Sequence, residues 1–169
     1  VSRMLPMLGG WVIVKKSHPI LLRLADRHYT RQKPGTRLCT RPGINLCFVL
    51  EDGTAAFVTW RPIPRIGRMD RLEAWECTLF RNEGGGKSSD LIREAVALIW
   101  DKWGWPPRDG LITAVGIAET ASGRGKWSQP GQCFVKAGWK PIGEKNGKAW
   151  LQAPHPVAEP KQKNTGGTP

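Results

Sequence analysis

The sequence predicts an α/β fold, with a central, mixed, mostly antiparallel sheet and helices on both faces. Three observations predict it. Elements follow one another as strand, helix, three strands, glycine turn, helix, strand, short helix and hairpin. Asp52-Gly53 and Asn146-Gly147 are hairpin signals, and hairpins join antiparallel neighbours. The 169 residues are the size of one ordinary domain, and the 40% apolar fraction is that of a globular chain with a core.

Taken in order, residues 11–14 are a short β-branched strand. Ser17 offers an N-cap, and Pro19 suits the first turn of a helix. That helix turns Leu21, Leu22, Leu24 and Ala25 inward and ends near His28 and Tyr29. A basic loop, 31–42, follows, with Pro34-Gly35 and Pro42-Gly43 as turns. Residues 46–50 and 55–60 are strands around the Asp52-Gly53 turn. A connection containing Pro and Arg, 62–71, leads to a strand at 75–80 and the glycine-rich turn 81–86. Residues 88–103 carry the clearest helical period, in Leu91, Ile92, Ala95, Val96, Ile99 and Trp103. Ser88 or Ser89 can cap that helix, Asp90 complements its dipole, and Gly104 with Pro106-Pro107 stops it. Residues 111–115 are a central strand. A polar loop, 118–131, precedes a short helix at 133–137, and 141–151 is a hairpin. Residues 1–153 thus form one domain. The polar segment 154–169, rich in Pro and Gly, reads as a disordered tail.

Lys and Arg number 26 and Asp and Glu 14, for a net charge of +12. A surface that basic attracts polyanions through its summed field and through counterion release. Double-stranded DNA is the leading partner; an acidic membrane surface and plain solubility are the alternatives. No apolar run reaches the ~20 residues of a membrane span. The N-terminus lacks the basic start and long apolar core of a secretory signal. Four cysteines, at 39, 47, 77 and 133, form no CxxC pair and so no structural zinc signature. Cys47 and Cys77 sit in apolar strand-like runs, as small core residues do. A reduced, cytoplasmic chain is expected. Most of the nine tryptophans suit a core, but Trp127 stands in a polar loop.

Arg81, Gly84, Gly85 and Gly86 lie between an apolar strand and an amphipathic helix. Glycines let successive N–H groups converge on an anion, and a helix start adds unpaired donors. The element order and the pattern Arg81-x-x-Gly84-x-Gly86 resemble those of the GCN5-related acetyltransferases, in which such a loop holds the coenzyme A diphosphate. The resemblance implies acetyl-coenzyme A or a related thioester, held by Arg81, Gly84, Gly85, Gly86, Ser88 and Ser89. The segment 133–139 resembles the family's short helix before the last hairpin. Cys133-Phe134 stands where that family has a tyrosine able to protonate the coenzyme thiolate. The family's usual amine acetylation therefore does not carry over unaltered.

A narrower resemblance runs through 26–32, 75–84, 88–95 and 130–139, which together cover most of 26–139. These segments are similar to blocks of the Mom-type phage DNA-modification proteins. The resemblance implies conversion of adenine N6 in DNA to a carbamoylmethyl-bearing form, which protects phage DNA from restriction. His28 and Tyr29 match that family's His-Tyr pair, and Arg81 matches its Phe-Arg-Asn arginine. It also admits an iron ion, with His28 as a ligand. An imidazole and a phenol can equally act as acid and base. Glu119, the next acidic residue past the central strand, completes a catalytic set of His28, Tyr29, Arg81 and Glu119.

Plainer readings stand beside these. His28 can cap the helix end, and Tyr29 can pack the loop instead of stacking on a base. Arg81 can be a surface residue, and Glu76 either a base or an exposed strand residue. Arg31, Lys33, Arg37, Arg41, Arg124 and Lys126 are expected DNA contacts; as solvated loop residues they would be unremarkable. Two rival functions remain: an ordinary coenzyme A-dependent N-acetyltransferase for a protein or small amine, and a non-catalytic DNA-binding module. The sequence leaves the oligomeric state open.

Overall fold

A computed structural model describes residues 10–30, 34–37, 39–123, 125 and 128–157. The elements are β1 (Trp11–Val14), α1 (Pro19–Asp26), β2 (Ile44–Leu50), β3 (Ala55–Arg61), β4 (Trp75–Asn82) and α2 (Ser88–Trp103). They continue with β5 (Leu111–Gly116), a 3-10 turn at Ala121–Gly123, α3 (Gln132–Lys136), β6 (Lys140–Lys145) and β7 (Lys148–Gln152). Seven strands form one sheet in the order β1-β2-β3-β4-β5-β7-β6. The pair β4–β5 is parallel, and every other neighbour is antiparallel. The mixed, mostly antiparallel sheet is as the sequence predicts.

Helices cover both faces, which explains why β2 and β3 are buried almost throughout. Successive side chains of a strand point to opposite faces. Leu46, Phe48 and Leu50 therefore join Phe57 and Trp11 under Ile92, Ala95 and Ile99 of α2. Cys47 and Val49 join Ala56, Val58 and Leu79 under Leu21, Leu24 and Ala25 of α1. The Trp11 indole N–H donates to the Leu91 carbonyl at 3.0 Å, which ties β1 to α2.

Both hairpin signals act as expected. Gly53 adopts φ +76 between β2 and β3, and Asn146 (φ +53) and Gly147 (φ +73) turn β6 into β7. β6 is one edge of the sheet, and all six of its residues are exposed. Among the described residues, no helix is long and apolar enough to cross a membrane.

Several local expectations need correction. The N-cap of α1 is His18, not Ser17: its Nδ1 accepts from the Ile20 amide at 3.2 Å. The helix ends at Asp26, earlier than expected, and Leu22 is only half-buried. Neither Ser88 nor Ser89 caps α2. Lys87 holds that position without a side-chain bond, because Asn82 draws Ser88 back into the preceding turn. Glu76 is neither exposed nor a free base. It is 7% exposed, and its carboxylate pairs with Arg41 and, at 3.7 Å, with Arg68. The expected tail falls mostly at 158–169, outside the described residues, as does Trp127.

Candidate functional site

The two parallel strands part company along their length. Pairing of β4 with β5 runs through Trp75–Leu111 and Glu76–Ile112 and ends at Cys77–Thr113. β4 then bulges: Thr59 of β3 faces Cys77 and Val58 faces Leu79, so Thr78 is the extra residue. β5 goes on to Gly116 in company with β7 instead. The divergence opens a cleft of about 530 Å³ between the C-terminal ends of β4 and β5. That volume is in the range of small-molecule sites. Leu79, Phe80, Thr113 and Val115 line its walls, and the α3 segment with Cys133 and Phe134 closes one side.

Three of the four expected catalytic residues, His28, Tyr29 and Glu119, line this cleft. The chain leaving α1 brings two of them across the ends of the strands. The His28 and Tyr29 rings stack with centroids 4.5 Å apart and planes 28° apart. The Gly116 amide donates to the Tyr29 hydroxyl oxygen at 3.1 Å, fixing the phenol at the end of β5. Glu119 follows four residues after Val115, and Thr120 anchors its loop by donating from its hydroxyl to the Gly116 carbonyl at 2.6 Å. Gly116 leaves room for this meeting. A Cβ there would lie 2.2 Å from Glu119 Oε2 and 3.2 Å from Tyr29 Cε2. The carboxylate and the phenol ring thus converge on one point.

Electrostatics sort these groups into roles. Burial, aided by the Arg81 charge, pushes the His28 imidazole down to about 4, so it is neutral near pH 7. The Thr30 hydroxyl lies 2.7 Å from His28 Nδ1, and the Phe80 backbone acts in the opposite sense to burial, favouring the protonated ring. The ring is engaged with Thr30 and stacked on Tyr29, in place of the expected cap on the helix end. Burial raises the Tyr29 phenol, against the Gly116 amide, and keeps it protonated. Burial likewise raises the thiols of Cys77 and Cys133, so neither is a ready nucleophile at neutral pH. The iron expected at His28 is not matched by a donor set. His28 Nδ1 is engaged by Thr30, and no cluster of three or more His, Cys, Asp or Glu suited to a metal occurs among the described residues.

His28 carries a pH signature. Its folded-state pKa of about 4 lies below the ordinary 6.5, so between these values the unfolded chain binds more protons than the folded one. Stability is therefore full above about 6.5 and declines as pH falls toward about 4. Urea unfolding at pH 7 and pH 5 should show a smaller loss for His28→Gln than for the parent. Equal losses would mean that His28 is not buried as a neutral ring.

The fourth expected catalytic residue, Arg81, does not line the cleft. Its Nη1 donates to the Arg27 carbonyl at 2.7 Å, and its Nε pairs with Glu83. Arg27 grips the same carboxylate at 2.8 Å. These hydrogen bonds hold the Glu83 carboxyl down at about 2. Arg81 bears on the cleft through its charge on His28.

The glycine turn adjoins the cleft without lining it. Asn82, to which the sequence alone assigns no role, organises the turn. Its Oδ1 accepts from the Gly85 amide at 2.8 Å, and its Nδ2 donates to the Gly86 carbonyl and to Ser88 Oγ. Gly85 is needed for space: a Cβ there would sit 2.6 Å from Leu50 Cδ1. Gly84 (φ +99) and Gly86 (φ +117) face open space, and their amides have no partner among the described residues. Those two positions fit an anion such as a diphosphate. Ser89 does not, since it is buried with its hydroxyl unpartnered.

Of the expected DNA contacts, Arg31, Lys33, Arg124 and Lys126 lie outside the described residues. Arg37 is exposed. Arg41 is already committed, with its guanidinium 3.8 Å above the Trp60 ring and paired to Glu76. Thr30, Thr78 and Gly116 also belong to the site and are not singled out by the sequence. Only a glycine ending a predicted strand offered any signal for the last. Comparison with known proteins finds no matching family model, no similar curated protein and no similar solved structure, so the site stands on its own geometry.

Proposed function

We propose that the chain is a transferase that adds a small acyl-derived group, of carbamoylmethyl type, to adenine N6 in DNA, on a fold like that of the GCN5-related acetyltransferases. The observation that carries this reading is the convergence of Tyr29, His28 and Glu119 on the cleft between the parting ends of β4 and β5. In sheets with parallel strands, ligands bind outside the carboxyl ends of those strands. The net charge of +12 supplies attraction to a polyanionic substrate.

Adenine N6 is paired inside a duplex, so its nucleotide has to turn out into the cleft. Tyr29 keeps 43% of its surface exposed and is backed by His28, and so offers a face for the base. The amine's lone pair is delocalised into the purine ring, so attack requires loss of an N6 proton. The Glu119 carboxylate, which lines the cleft, would accept it. His28 backs the Tyr29 ring, and burial keeps its imidazole neutral near pH 7. Coenzyme A, when bound, would supply a thioester-activated acyl group, whose transfer forms an N6-acyl bond as the carbon–sulfur bond breaks and the free thiol leaves with the N6 proton; a carbamoylmethyl product would require a further reaction of that acyl group. The amides of Gly84 and Gly86 and the start of α2 would hold its diphosphate.

Mass analysis of nucleosides from DNA co-expressed with the chain tests this directly, with a heavier deoxyadenosine as the expected result. Unmodified DNA together with acetylation of free amines would favour an ordinary N-acetyltransferase. In parallel, duplex affinity should drop by ~10³-fold between 50 and 200 mM salt, as for a protein with six or more phosphate contacts. A flat response would remove DNA as the partner.

A further inference from the structure

The connection between β3 and β4 carries side chains that neither the core nor the cleft uses. Ile66 is 77% exposed and Met69 fully exposed, flanked by the half-open Ile63 and Leu72. Arginines alternate with them in steps of three, at 65, 68 and 71. Arg68 is folded inward with a side chain 5% exposed. It grips Asp70 with Nε at 2.9 Å and Nη2 at 2.6 Å, and it faces Glu76. Asp70 in turn accepts from the Leu72 amide at 3.1 Å, and Ile66 and Gly67 close on the Ile63 carbonyl. The loop is thus braced from within. Arg65 and Arg71 stand in solvent with no ion pair among the described residues.

Braced exposed apolar side chains mark a contact surface, and free guanidiniums beside them call for a polyanion. Proteins that bend DNA insert Ile, Met or Leu between base steps from the minor groove, while arginines occupy the narrow groove. All the loop's cations are arginine, with no lysine. That choice suits a groove better than a lipid headgroup layer, where lysine serves equally. The loop also lies on the same sheet face as Tyr29. Arg68 and Arg41 contact Glu76 and Trp60 on the α1 side, and the chain from α1 supplies Tyr29.

We propose that Ile66 and Met69 form a wedge that enters the minor groove of duplex DNA, with Arg65 and Arg71 on the flanking phosphates or groove floor. This rests on the reading of DNA as the substrate. Unstacking a step of the bound duplex would loosen the nucleotide that must turn out.

The test uses the full chain and a duplex carrying a dye at each end and 2-aminopurine at successive steps. Binding is expected to shorten the end-to-end distance and to brighten one step. Ile66→Ser with Met69→Ser should reduce both signals at least ~5-fold and leave low-salt affinity within about threefold. Arg65→Ala with Arg71→Ala should weaken binding about tenfold and lower the salt slope by about two. These side chains are exposed, so unchanged melting curves verify folding. A bound duplex that stays straight and dark overturns the wedge, as does full bending by the Ile66 and Met69 variant. Binding to phosphatidylglycerol vesicles that this variant loses, with no bending of DNA, assigns the loop to lipid and also overturns it. A bent duplex without modified adenine sinks the transferase reading and leaves the wedge standing. Modified adenine on a straight duplex does the reverse.

Discussion

Glu119→Gln is expected to cut adenine modification by about 10²–10³-fold while DNA affinity stays within a few-fold. The magnitude is that of removing a group which acts mainly in the transition state. Glutamine keeps the shape of the side chain and its place over Gly116, but it cannot take a proton. If DNA is the substrate, as proposed, phosphate contacts spread over many basic residues would carry the affinity, and one cleft residue would contribute little to it. Gly116→Val should give a loss of similar size by another route. Its Cβ would fall 2.2 Å from Glu119 Oε2, so the carboxylate must leave its position and the Tyr29 ring must shift. Both variants are read by nucleoside mass analysis and by duplex titration. Parental modification by Glu119→Gln would remove Glu119 as the base. Parental modification by Gly116→Val would show that the meeting of Glu119 and Tyr29 is immaterial.

Trp11→Ala should destabilise the fold strongly, at a cost of about 3–5 kcal/mol. The indole is fully buried, packs 6.2 Å from the Phe48 ring and donates to the Leu91 carbonyl. Its removal leaves a large void between β1 and α2. Trp11→Phe keeps most of the volume and loses the donor, at about 1–2 kcal/mol. A typical domain has only about 5–15 kcal/mol in total, so Trp11→Ala should leave a substantial unfolded population at modest urea. Urea titrations that give both variants the same midpoint as the parent would show that β1 is not part of the cooperative unit.

The sheet and helices were legible because each obeys a local rule. The period of Leu91, Ile92, Ala95 and Ile99 is sustained for about two turns at ~3.6 residues each, and Gly104 ends the helix with a positive φ. Asn146-Gly147 has one compatible turn geometry. His18 was missed as a cap because an imidazole there does what Ser, Thr, Asp or Asn usually do. A cleft at the ends of the apolar segments was legible, but not how it opens. It arises where β4 changes register at Thr78 and leaves β5, which is a property of pairing between strands far apart in sequence. His28, Tyr29 and Glu119 came together because the chain entering and leaving those strand ends crosses the same opening. Arg81 was misplaced for an opposite reason. It stands at the end of β4, just before the glycine turn, and Glu83, two residues on, turns its guanidinium aside. Arg41 shows the same limit: its sequence neighbours look like a solvated basic loop, and its partners Trp60 and Glu76 lie on distant strands.

The exposed edge strand β6 has a consequence for the protein's behaviour at high concentration. An open edge offers unpaired backbone groups to any other extended chain and is a usual starting point for fibrous aggregation. Here Lys140 opens the strand, Pro141 removes one amide donor, and the register slips between Pro141 and Gly143. Lys145 closes it beside Glu144. Approaching copies would meet lysines and an irregular, donor-poor rim. Growth of the sheet by strand addition is therefore blocked at β6, and concentrated solutions should stay free of cross-β assemblies seeded there.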